Sequence, residues 1–518
     1  MGSRPSTYVA EAVPEILASD RPWSVQQQDI FDWFETGVED EPRPALVVRA
    51  RAGTGKTTTI IEGVNRAADE GAILLCAFNK RIAEELNTRI TNPHAEAKTL
   101  HALGYAAIRL QWSYIRVAEG STRADSLTSQ VVLPQVPRPI CRLVSLLHTK
   151  GREMVPTTAT VGVLRELAFF FDYVPDESWE PQGYTVDYVA TAALAAMERA
   201  ATEEAPRATG IDFADMVYLP LVRHWLTPVY ELVVVDEAQD MTLAQLEIAQ
   251  RVCRGRFCVV GDDRQAIYAF RGADSGSLDR LKGKLQAEEL PLTVTYRCGQ
   301  SIVRRAQTLV PDIQAHPTNP EGCVDTCDYE HLLRLAQPGD FILSRLNAPL
   351  VSLTLHLLRA GKRARMAGRD VGKGIHTLIT KLVTTGRLVT LEGLLGALDT
   401  WERKTVTQLA SYGQSALIDR CRDQADMVRA LAEEAISLAD LNSTCLYLFT
   451  DDQDAGQILC SSVHKAKGLE ANRVYILQES LYRRGASREE ENIDYVATTR
   501  AKSHLTLVTS VPTLQYLQ

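Results

Sequence analysis

The sequence predicts an α/β protein built on parallel sheets, and three observations lead to that prediction. An apolar run at residues 45–48 is typical of a buried strand, and a glycine-bearing loop and a helix follow it. Residues 231–235 form a second strand-like run that ends in two adjacent acids. Further apolar runs alternate with helical stretches along the chain, which is the pattern of strand–helix–strand units in a parallel sheet.

The loop after the first strand has the pattern of a P-loop, with Ala50 where the first glycine usually stands. Gly53 and Gly55 allow backbone N–H groups to curl around a polyphosphate, and the following helix directs its positive N-terminal end at the same charge. Lys56 can reach the β- and γ-phosphates of ATP, and the Thr57 hydroxyl can bind Mg²⁺. The predicted phosphate-binding residues are Ala52, Gly53, Thr54, Gly55, Lys56, Thr57 and Thr58.

The acid pair after the second strand, Asp236 and Glu237, lies where an α/β sheet places its chemistry, at the carboxyl end of a strand. We predict that Asp236 joins Thr57 as a metal ligand, directly or through water. Glu237 is predicted to orient and deprotonate the attacking water. An isolated acid pair also fits a solvated turn, but the P-loop upstream favours the catalytic interpretation.

Composition limits the possible classes of protein without selecting one. The 518 residues are 45% hydrophobic and 23% charged, which is typical of a globular protein of several domains. The sequence has no apolar run of about 18 residues and no basic-then-apolar start, so we predict a cytoplasmic protein. A net charge of −9 gives no overall support for nucleic-acid binding, although a groove can be locally basic on an acidic protein.

Changes of pattern along the chain predict two α/β lobes, each interrupted by a mainly helical insertion. The first insertion is polar and proline-bearing near residues 121–139 and then apolar and helical, the second has amphipathic helical stretches, and strand-like runs return after each. The predicted ranges are 1–104 and 206–288 for lobe one, 105–205 for the first insertion, 289–366 and 456–518 for lobe two, and 367–455 for a short second insertion.

Two stretches have residue types that suit contact with nucleic acid. Tyr268 and Phe270 alternate, so their two rings can share one face near the cation of Arg271, an arrangement that suits base stacking with a phosphate contact. Aromatic residues at this spacing are also common in ordinary strand packing. The strongly basic run at residues 359–369 is either a solvated face or a phosphate contact.

Taken in order, these motifs resemble those of the superfamily 1 helicases of the UvrD, Rep and PcrA type, from Gln27 to Val508. The most specific stretches are GDDRQAIYAFRGA at 261–273, HKAKGLE at 464–470 and YVATTRAK at 495–502. The AFNK, TLHALG and ENIDYVATTRAK stretches look closer to the F-box DNA helicase and phage-type branch.

The resemblance implies two RecA-like lobes with ATP and Mg²⁺ in the cleft between them. It implies that Gln27 binds adenine, for which a glutamine amide is suited, and that Tyr296 stacks on the base. Gln265 would sense the γ-phosphate from lobe one. The remaining implied residues are Arg297 and Arg500, as arginine fingers from lobe two, and Glu470, beside the nucleotide.

The resemblance also implies 3′→5′ movement on single-stranded DNA and action at single/double-strand junctions. The implied DNA-binding residues are Phe78, Thr99, His101, Tyr268, Phe270, Arg271 and His464. Three local departures stand out: a residue is missing between Phe78 and Asn79, Phe270 replaces tryptophan, and Cys298 replaces serine. The second insertion is much shorter than the accessory subdomain of UvrD, Rep and PcrA, which bears on duplex unwinding.

We therefore predict an ATP-hydrolysing, single-stranded DNA translocase and helicase. The alternative is a helicase-like regulatory or sensing subunit of a larger nucleic-acid-processing or phage-defence assembly, with a nuclease or other protein as partner. A third interpretation is a P-loop switch protein without a nucleic-acid role. It leaves the stretches at 99–104, 265–273 and 464–470 unexplained.

Overall fold

The structure is a computed structural model, and it describes residues 23–36, 45–68, 71–267, 277–411, 415–450, 456–481 and 488–512. Strands in these ranges form two large parallel sheets, of six and seven strands, and a small two-stranded pair. Helices pack on the sheets and also form two separate insertions. The predicted α/β class with two parallel-sheet lobes is confirmed. No helix within the described ranges has the length and apolar character needed to cross a membrane.

The first part of lobe one alternates strands and helices as the sequence predicts. Ser24 and Gln27 form a capping box that begins α1. Thr99 ends β3, and its hydroxyl accepts a hydrogen bond from the N–H of Ala102 and so caps the next helix. The elements are α1 (Val25–Glu35), β1 (Ala45–Ala50), α2 (Lys56–Arg66), β2 (Ile73–Ala77), α3 (Lys80–Arg89), β3 (Ala95–Thr99) and α4 (Leu100–Gln111).

The first insertion packs helices around a core of its own. Two buried arginines, Arg123 and Arg152, are each paired with the buried carboxylate of Asp215, which lies just after the insertion. Such paired burial avoids an uncompensated charge in the interior. The helices are α5 (Thr122–Val131), α6 (Arg138–Met154), α7 (Val161–Phe170) and α8 (Val186–Thr202).

The chain then completes the first sheet, whose order is β3-β2-β4-β5-β1-β6. Strand β6 pairs with β1 as far as Leu292. The predicted domain boundaries remain predictions. The elements are α9 (Phe213–Val222), β4 (Tyr230–Val235), α10 (Leu243–Val252), β5 (Cys253–Gly261), α11 (Ser277–Leu285) and β6 (Glu288–Leu292).

The first part of lobe two contains the basic run at residues 359–369. Arg359 pairs with Glu434, and Lys362 donates to the carbonyls of Arg334 and Ala336. These cations therefore fasten elements of the fold together. The elements are β7 (Val294–Thr295), α12 (Gln300–Gln307), β8 (Gln314–Ala315), β9 (Cys323–Asp328), α13 (Tyr329–Leu335), β10 (Phe341–Ser344), α14 (Ala348–Arg359) and β11 (Ala364–Ala367).

The second insertion is helical and packs partly against the first insertion. Leu409, Leu417 and Cys421 are buried in the same apolar cluster as the core of the first insertion. Arg420 donates a hydrogen bond to the carbonyl of Phe170, at the end of α7. The helices are α15 (Arg369–Gly386), α16 (Leu391–Ser411), α17 (Ser415–Glu434) and α18 (Leu438–Leu448).

The last part of the chain completes the second sheet, whose order is β12-β11-β13-β10-β14-β15-β9. The helix that ends at Thr498 is followed by a strand that begins at Ala501. Arg500 therefore lies in the link between them. The elements are β12 (Phe449–Thr450), β13 (Ile458–Ser462), α19 (Val463–Ala466), β14 (Ala471–Leu477), α20 (Gln478–Leu481), α21 (Arg488–Thr498) and β15 (Ala501–Thr509).

A buried histidine in the first insertion predicts a pH dependence of stability. Burial, helped by the nearby charge of Arg152, lowers the pKa of His148 to about 3. Because the unfolded-state pKa is about 6.5, protonation favours the unfolded chain. The stabilising effect is complete above that pH and is lost as the pH falls toward 3. Between about pH 7.5 and about pH 5.5 we expect a loss of about 1.4 kcal/mol in the free energy of unfolding.

Urea unfolding at a series of pH values measures this effect. His148→Gln keeps an N–H donor for the carbonyl of Ala124 but does not titrate, so it should remove this part of the pH slope. The exposed histidine His94, changed to glutamine, is the matched control and should retain the wild-type slope. Identical slopes for wild type and His148→Gln would contradict the prediction.

Candidate nucleotide site and nucleic-acid face

The loop between β1 and α2 has the backbone of a phosphate-binding turn. Gly53 and Gly55 have positive φ values of 72° and 79°, a conformation that favours glycine. A Cβ on Gly53 would lie only 2.5 Å from the Cβ of Arg297 in lobe two, so no other residue fits there. Gly55 caps α2 without a side chain, so the helix N-terminus offers its backbone N–H groups to an anion.

Lys56 and Thr57 each contact one member of the acid pair after β4. The Nζ of Lys56 lies 3.0 Å from Glu237, and the Thr57 hydroxyl donates to Asp236 at 3.1 Å. Burial opposes the charge on Lys56, but Glu237, Asp262 and Asp236 outweigh burial and raise the pKa of this lysine. Burial and the neighbouring Glu237 raise the pKa of Asp236 to about 6. These four side chains, all predicted for catalysis or Mg²⁺ binding, thus form one cluster.

Glu237 has an unusual backbone and a second hydrogen-bonding partner. Its φ of 50° places a non-glycine residue in the left-handed region, as often occurs at functional sites. Gln239 donates to its carboxylate at 2.5 Å and accepts from the N–H of Asp262 at 3.1 Å. Burial favours the neutral acid, but Lys56 and Gln239 outweigh it and hold the pKa of Glu237 low, so the carboxylate is charged. Gln239 was not predicted as a site residue, since nothing in the sequence shows which carboxylate its amide contacts.

Gln265 and Arg500 meet across the interface between the lobes. The Gln265 amide donates to Asp262 at 2.7 Å, and Arg500 approaches its oxygen at 3.4 Å. Arg500 also donates to the carbonyls of Val496 and Leu469, within lobe two. Burial and the charge of Arg297 lower the pKa of Arg500 to about 10, so it remains a cation at neutral pH. The structure thus places one of the two predicted arginine fingers against the predicted γ-phosphate sensor.

The second predicted finger, Arg297, is held by an acid of the same lobe. Its guanidinium lies 2.6 Å from Glu470, which also pairs with Lys502 at 2.6 Å. Burial raises the pKa of Glu470, but Lys502 and Arg297 outweigh burial and lower it. Because Arg297 also lies against Gly53, the structure brings this cation to the P-loop.

The two predicted adenine-binding residues lie near the P-loop but already have partners. The Gln27 amide donates to the hydroxyl of Thr59 in α2 at 2.9 Å, and its oxygen accepts from the Ser24 N–H. The N–H of Tyr296 donates to the carbonyl of Gly53 at 2.9 Å, and its ring lies 4.8 Å from that of His316. Base binding by Gln27 requires its amide to exchange the Thr59 hydroxyl for the nucleotide.

The remaining predicted phosphate-binding residues serve the loop itself. The Ala52 N–H donates to the hydroxyl of Tyr495 at 3.0 Å, and the Thr54 hydroxyl donates to the carbonyl of Arg51 at 2.9 Å. The Thr58 hydroxyl accepts from Arg89 at 3.4 Å. Ala52 and Thr54 thus hold the loop in place, whereas Thr58 links α2 to α3.

The predicted nucleic-acid residues in lobe one cluster at the carboxyl ends of two adjacent strands. Phe78 follows β2 and is 48% exposed, while Thr99 ends β3 and His101 follows it. Phe213, the first residue of α9, is 63% exposed, and its ring meets that of His101 edge-on at 6.2 Å. The sequence analysis missed Phe213, because an aromatic residue in an apolar helix is indistinguishable there from a core residue.

The other predicted DNA-binding residues either lie outside the described residues or carry no positive charge. Tyr268, Phe270 and Arg271 lie outside the described residues. His464 lies in α19, and burial, together with the charge of Arg345, lowers its pKa to about 3. It is therefore neutral at physiological pH and contributes no positive charge for a phosphate.

Phe213 supports a prediction about nucleic-acid affinity. If a base stacks on the Phe213–His101 pair, Phe213→Ala should weaken binding of single-stranded DNA about tenfold, since stacking on an aromatic contributes about 1–3 kcal/mol per base. Fluorescence anisotropy with labelled oligothymidine measures the affinity. Tyr114→Ala is the matched control, because Tyr114 is 99% exposed and follows the C-terminal end of α4. That end of the helix lies about 15 Å along the helix axis from His101. Equal affinities of Phe213→Ala and wild type would contradict the prediction.

Two parallel α/β lobes that meet at one P-loop define a two-lobed P-loop nucleotide-binding protein. Comparison with known proteins makes the assignment more specific. The model of the UvrD/REP helicase N-terminal domain matches residues 35–286, and that of the UvrD-like helicase C-terminal domain matches residues 399–511. The chain belongs to the UvrD-like helicase family, which confirms the resemblance predicted from the motifs.

Individual relatives cover different shares of the chain. F-box DNA helicase protein 1 of Schizosaccharomyces pombe is 27% identical over 515 residues, 92% of this chain and 57% of that protein. ATP-dependent DNA helicase PcrA of Leuconostoc citreum is 24% identical and covers 51% of this chain and 37% of its own length. ATP-dependent DNA helicase UvrD2 of Mycobacterium tuberculosis is 24% identical, and the match covers 90% of this chain and 76% of that protein. The chain thus spans about half the length of the first two relatives.

Proposed function

We propose that this protein is an ATP-driven translocase of single-stranded DNA that moves 3′→5′ and separates strands at single/double-strand junctions. One observation carries the proposal: cations of lobe two contact the phosphate loop and the sensor of lobe one. Arg297 lies against Gly53, and Arg500 reaches Gln265. Such cations can stabilise the charge of phosphoryl transfer only when the lobes are closed, which links hydrolysis to lobe movement. The names of the relatives, which are DNA helicases, support the same proposal.

The residues at the P-loop fit MgATP. The turn at Gly53 and Gly55 and the Nζ of Lys56 suit the phosphates, while the oxygens of Thr57 and Asp236, 3.1 Å apart, suit a hard cation. The Mg²⁺ ion, when bound, would neutralise charge that develops on the phosphates. Burial and the neighbouring Glu237 raise the pKa of Asp236, and the nearby charge of Lys56 opposes that shift.

Lys56 and Glu237 would exchange partners when nucleotide binds. In the structure each neutralises the other at 3.0 Å. A polyphosphate in the loop would attract Lys56 and release one side of the Glu237 carboxylate. Gln239 would then keep that carboxylate in place, ready to accept a proton from the attacking water. Gln27 and Tyr296 would contact the base, and Glu470 would release Arg297 toward the phosphates.

The nucleotide site and the nucleic-acid face belong to continuous segments of chain. Lys467 of lobe two binds Asp240 and the carbonyl of Gln265, each at 2.6 Å. Gln265 comes three residues before Tyr268, the first of the aromatic residues predicted to stack on bases. A change at Gln265 on lobe closure is thereby transmitted directly to the predicted DNA-binding segment. Because stacking is tolerant of sequence, the motor would act on any single strand.

The alternative proposal is a helicase-like regulatory or sensing subunit that works with a nuclease or other protein. The contact between the insertions favours it, because Leu409, Leu417 and Cys421 pack the second insertion into the core of the first. That contact limits how far the second insertion moves. A forked duplex with a 3′ single-stranded tail separates the two proposals. ATP-dependent strand displacement by the purified chain supports the translocase, whereas DNA-stimulated hydrolysis without displacement supports the subunit.

A further inference from the structure

Three consecutive residues of the P-loop are fastened to lobe two. Arg51 pairs with Asp312, the Ala52 N–H donates to the Tyr495 hydroxyl, and the Gly53 carbonyl accepts from the N–H of Tyr296. Ala52 is also buried in the apolar core of lobe two. The first half of the phosphate loop is therefore a contact between the lobes, while its second half, from Thr54 onward, begins the phosphate-binding helix.

Arg51 makes the strongest of these contacts. Its Nε lies 2.9 Å from one carboxylate oxygen of Asp312, and its Nη2 lies 2.7 Å from the other, which is a two-pronged charge-assisted pair. Its third nitrogen donates to Asp263 at 2.8 Å and lies 3.3 Å from Asp262. The Arg51 side chain is 7% exposed, so its position is well fixed.

The two ends of this contact belong to different lobes. Asp262 and Asp263 follow β5 in lobe one, and Asp263 also pairs with Arg49 of β1. Asp312 lies between Val310 and Ile313, which are both buried in the core of lobe two. Arg51 thus holds lobe one with one nitrogen and lobe two with the other two.

We propose that Arg51 is a positioning residue whose pair with Asp312 clasps the phosphate loop to lobe two and so slows opening of the cleft and release of nucleotide. The inference rests on the nucleotide site of the proposed function but not on DNA binding or unwinding. Nucleotide that lies between the lobes leaves only when they separate. Each contact that closes the lobes without touching the nucleotide therefore prolongs its residence.

Release of mant-ADP with Mg²⁺, followed by stopped-flow fluorescence, tests the inference. Asp312 is 49% exposed, so Asp312→Asn removes its charge without leaving a buried gap. We expect the variant to release mant-ADP about three- to tenfold faster than wild type, as suits a partly exposed two-pronged pair. Asp312→Glu, which keeps a carboxylate, should restore slow release. Arg51→Lys keeps the positive charge but loses the two-pronged hydrogen bonding, so its release rate should lie between those of Asp312→Asn and wild type.

The matched control is Glu321→Gln, which removes a lobe-two carboxylate whose partner, Arg304, belongs to the same lobe. It should leave the release rate unchanged, and thermal unfolding should show that all variants are folded. Release from Asp312→Asn at the wild-type rate, or more slowly, would overturn the inference and leave the proposed function standing. Failure of wild-type protein to bind mant-ADP at all would overturn the proposed function itself.

Discussion

Replacing Lys56 with alanine is expected to lower ATP hydrolysis by about 10²- to 10³-fold, the range typical of removing one charged or hydrogen-bonding group aimed at the transition state. The nitrogen of Lys56 is the cation that the P-loop itself supplies to the phosphates. Its loss also leaves Glu237 without a partner 3.0 Å away, though Gln239 still holds that carboxylate. We therefore expect loss of hydrolysis without loss of folding.

Phosphate release from ATP, measured with purified protein and saturating single-stranded DNA, shows the effect. Lys80→Ala is the matched control, because Lys80 begins the corresponding helix after β2, and its side chain is 89% exposed. The control should hydrolyse ATP at the wild-type rate. Hydrolysis by Lys56→Ala within a factor of about three of wild type would show that the P-loop does not serve catalysis, since a factor of this size corresponds to less than about 1 kcal/mol.

Glu237→Gln is expected to lower the rate of ATP hydrolysis to an extent similar to that in Lys56→Ala, while nucleotide binding persists. The amide has the shape of the carboxylate but cannot accept a proton from water, and general-base catalysis typically contributes about 10²- to 10⁴-fold. The substitution also removes the negative charge that holds Lys56. Nucleotide affinity should therefore stay the same or rise.

Two measurements separate these effects: equilibrium binding of mant-ATP and single-turnover hydrolysis of ATP. Glu231→Gln is the matched control, since Glu231 lies at the opposite end of the same strand, paired with Arg254. It should behave as wild type in both. If Glu237→Gln loses nucleotide binding and hydrolysis together, Glu237 acts in binding and is not the base.

The parts of the site that lie close together in sequence were predictable. The strand, loop and helix around Lys56 follow from a local pattern of apolar residues, glycines and a helix start, and α2 begins at Lys56 as expected. Asp236 and Glu237 follow from the rule that chemistry lies at the carboxyl ends of parallel strands. Their approach to Thr57 and Lys56 follows from strand order, since β4 and β1 both flank β5.

The rest depends on contacts between distant segments, which a single sequence does not show. Thr99 was predicted only as a DNA-binding residue, but its hydroxyl also caps α4, because the chain continues into helix directly after β3. Gln239, Phe213 and Arg51 acquire their roles only from partners that the fold brings to them. The basic run at 359–369 left two interpretations open, a solvated face or a phosphate contact, and the structure instead uses Arg359 and Lys362 within the fold.

We propose that this cleft hydrolyses ATP under the control of nucleic acid, and the dependence of the hydrolysis rate on DNA tests the proposal. ATP hydrolysis by the purified chain is measured with and without saturating single-stranded DNA, beside Lys56→Ala. We expect slow hydrolysis by the protein alone and strong stimulation by DNA. Lys56→Ala should show neither the slow hydrolysis nor the stimulation. A rate that is the same with and without DNA would contradict the proposed coupling between the nucleotide cleft and the nucleic-acid face.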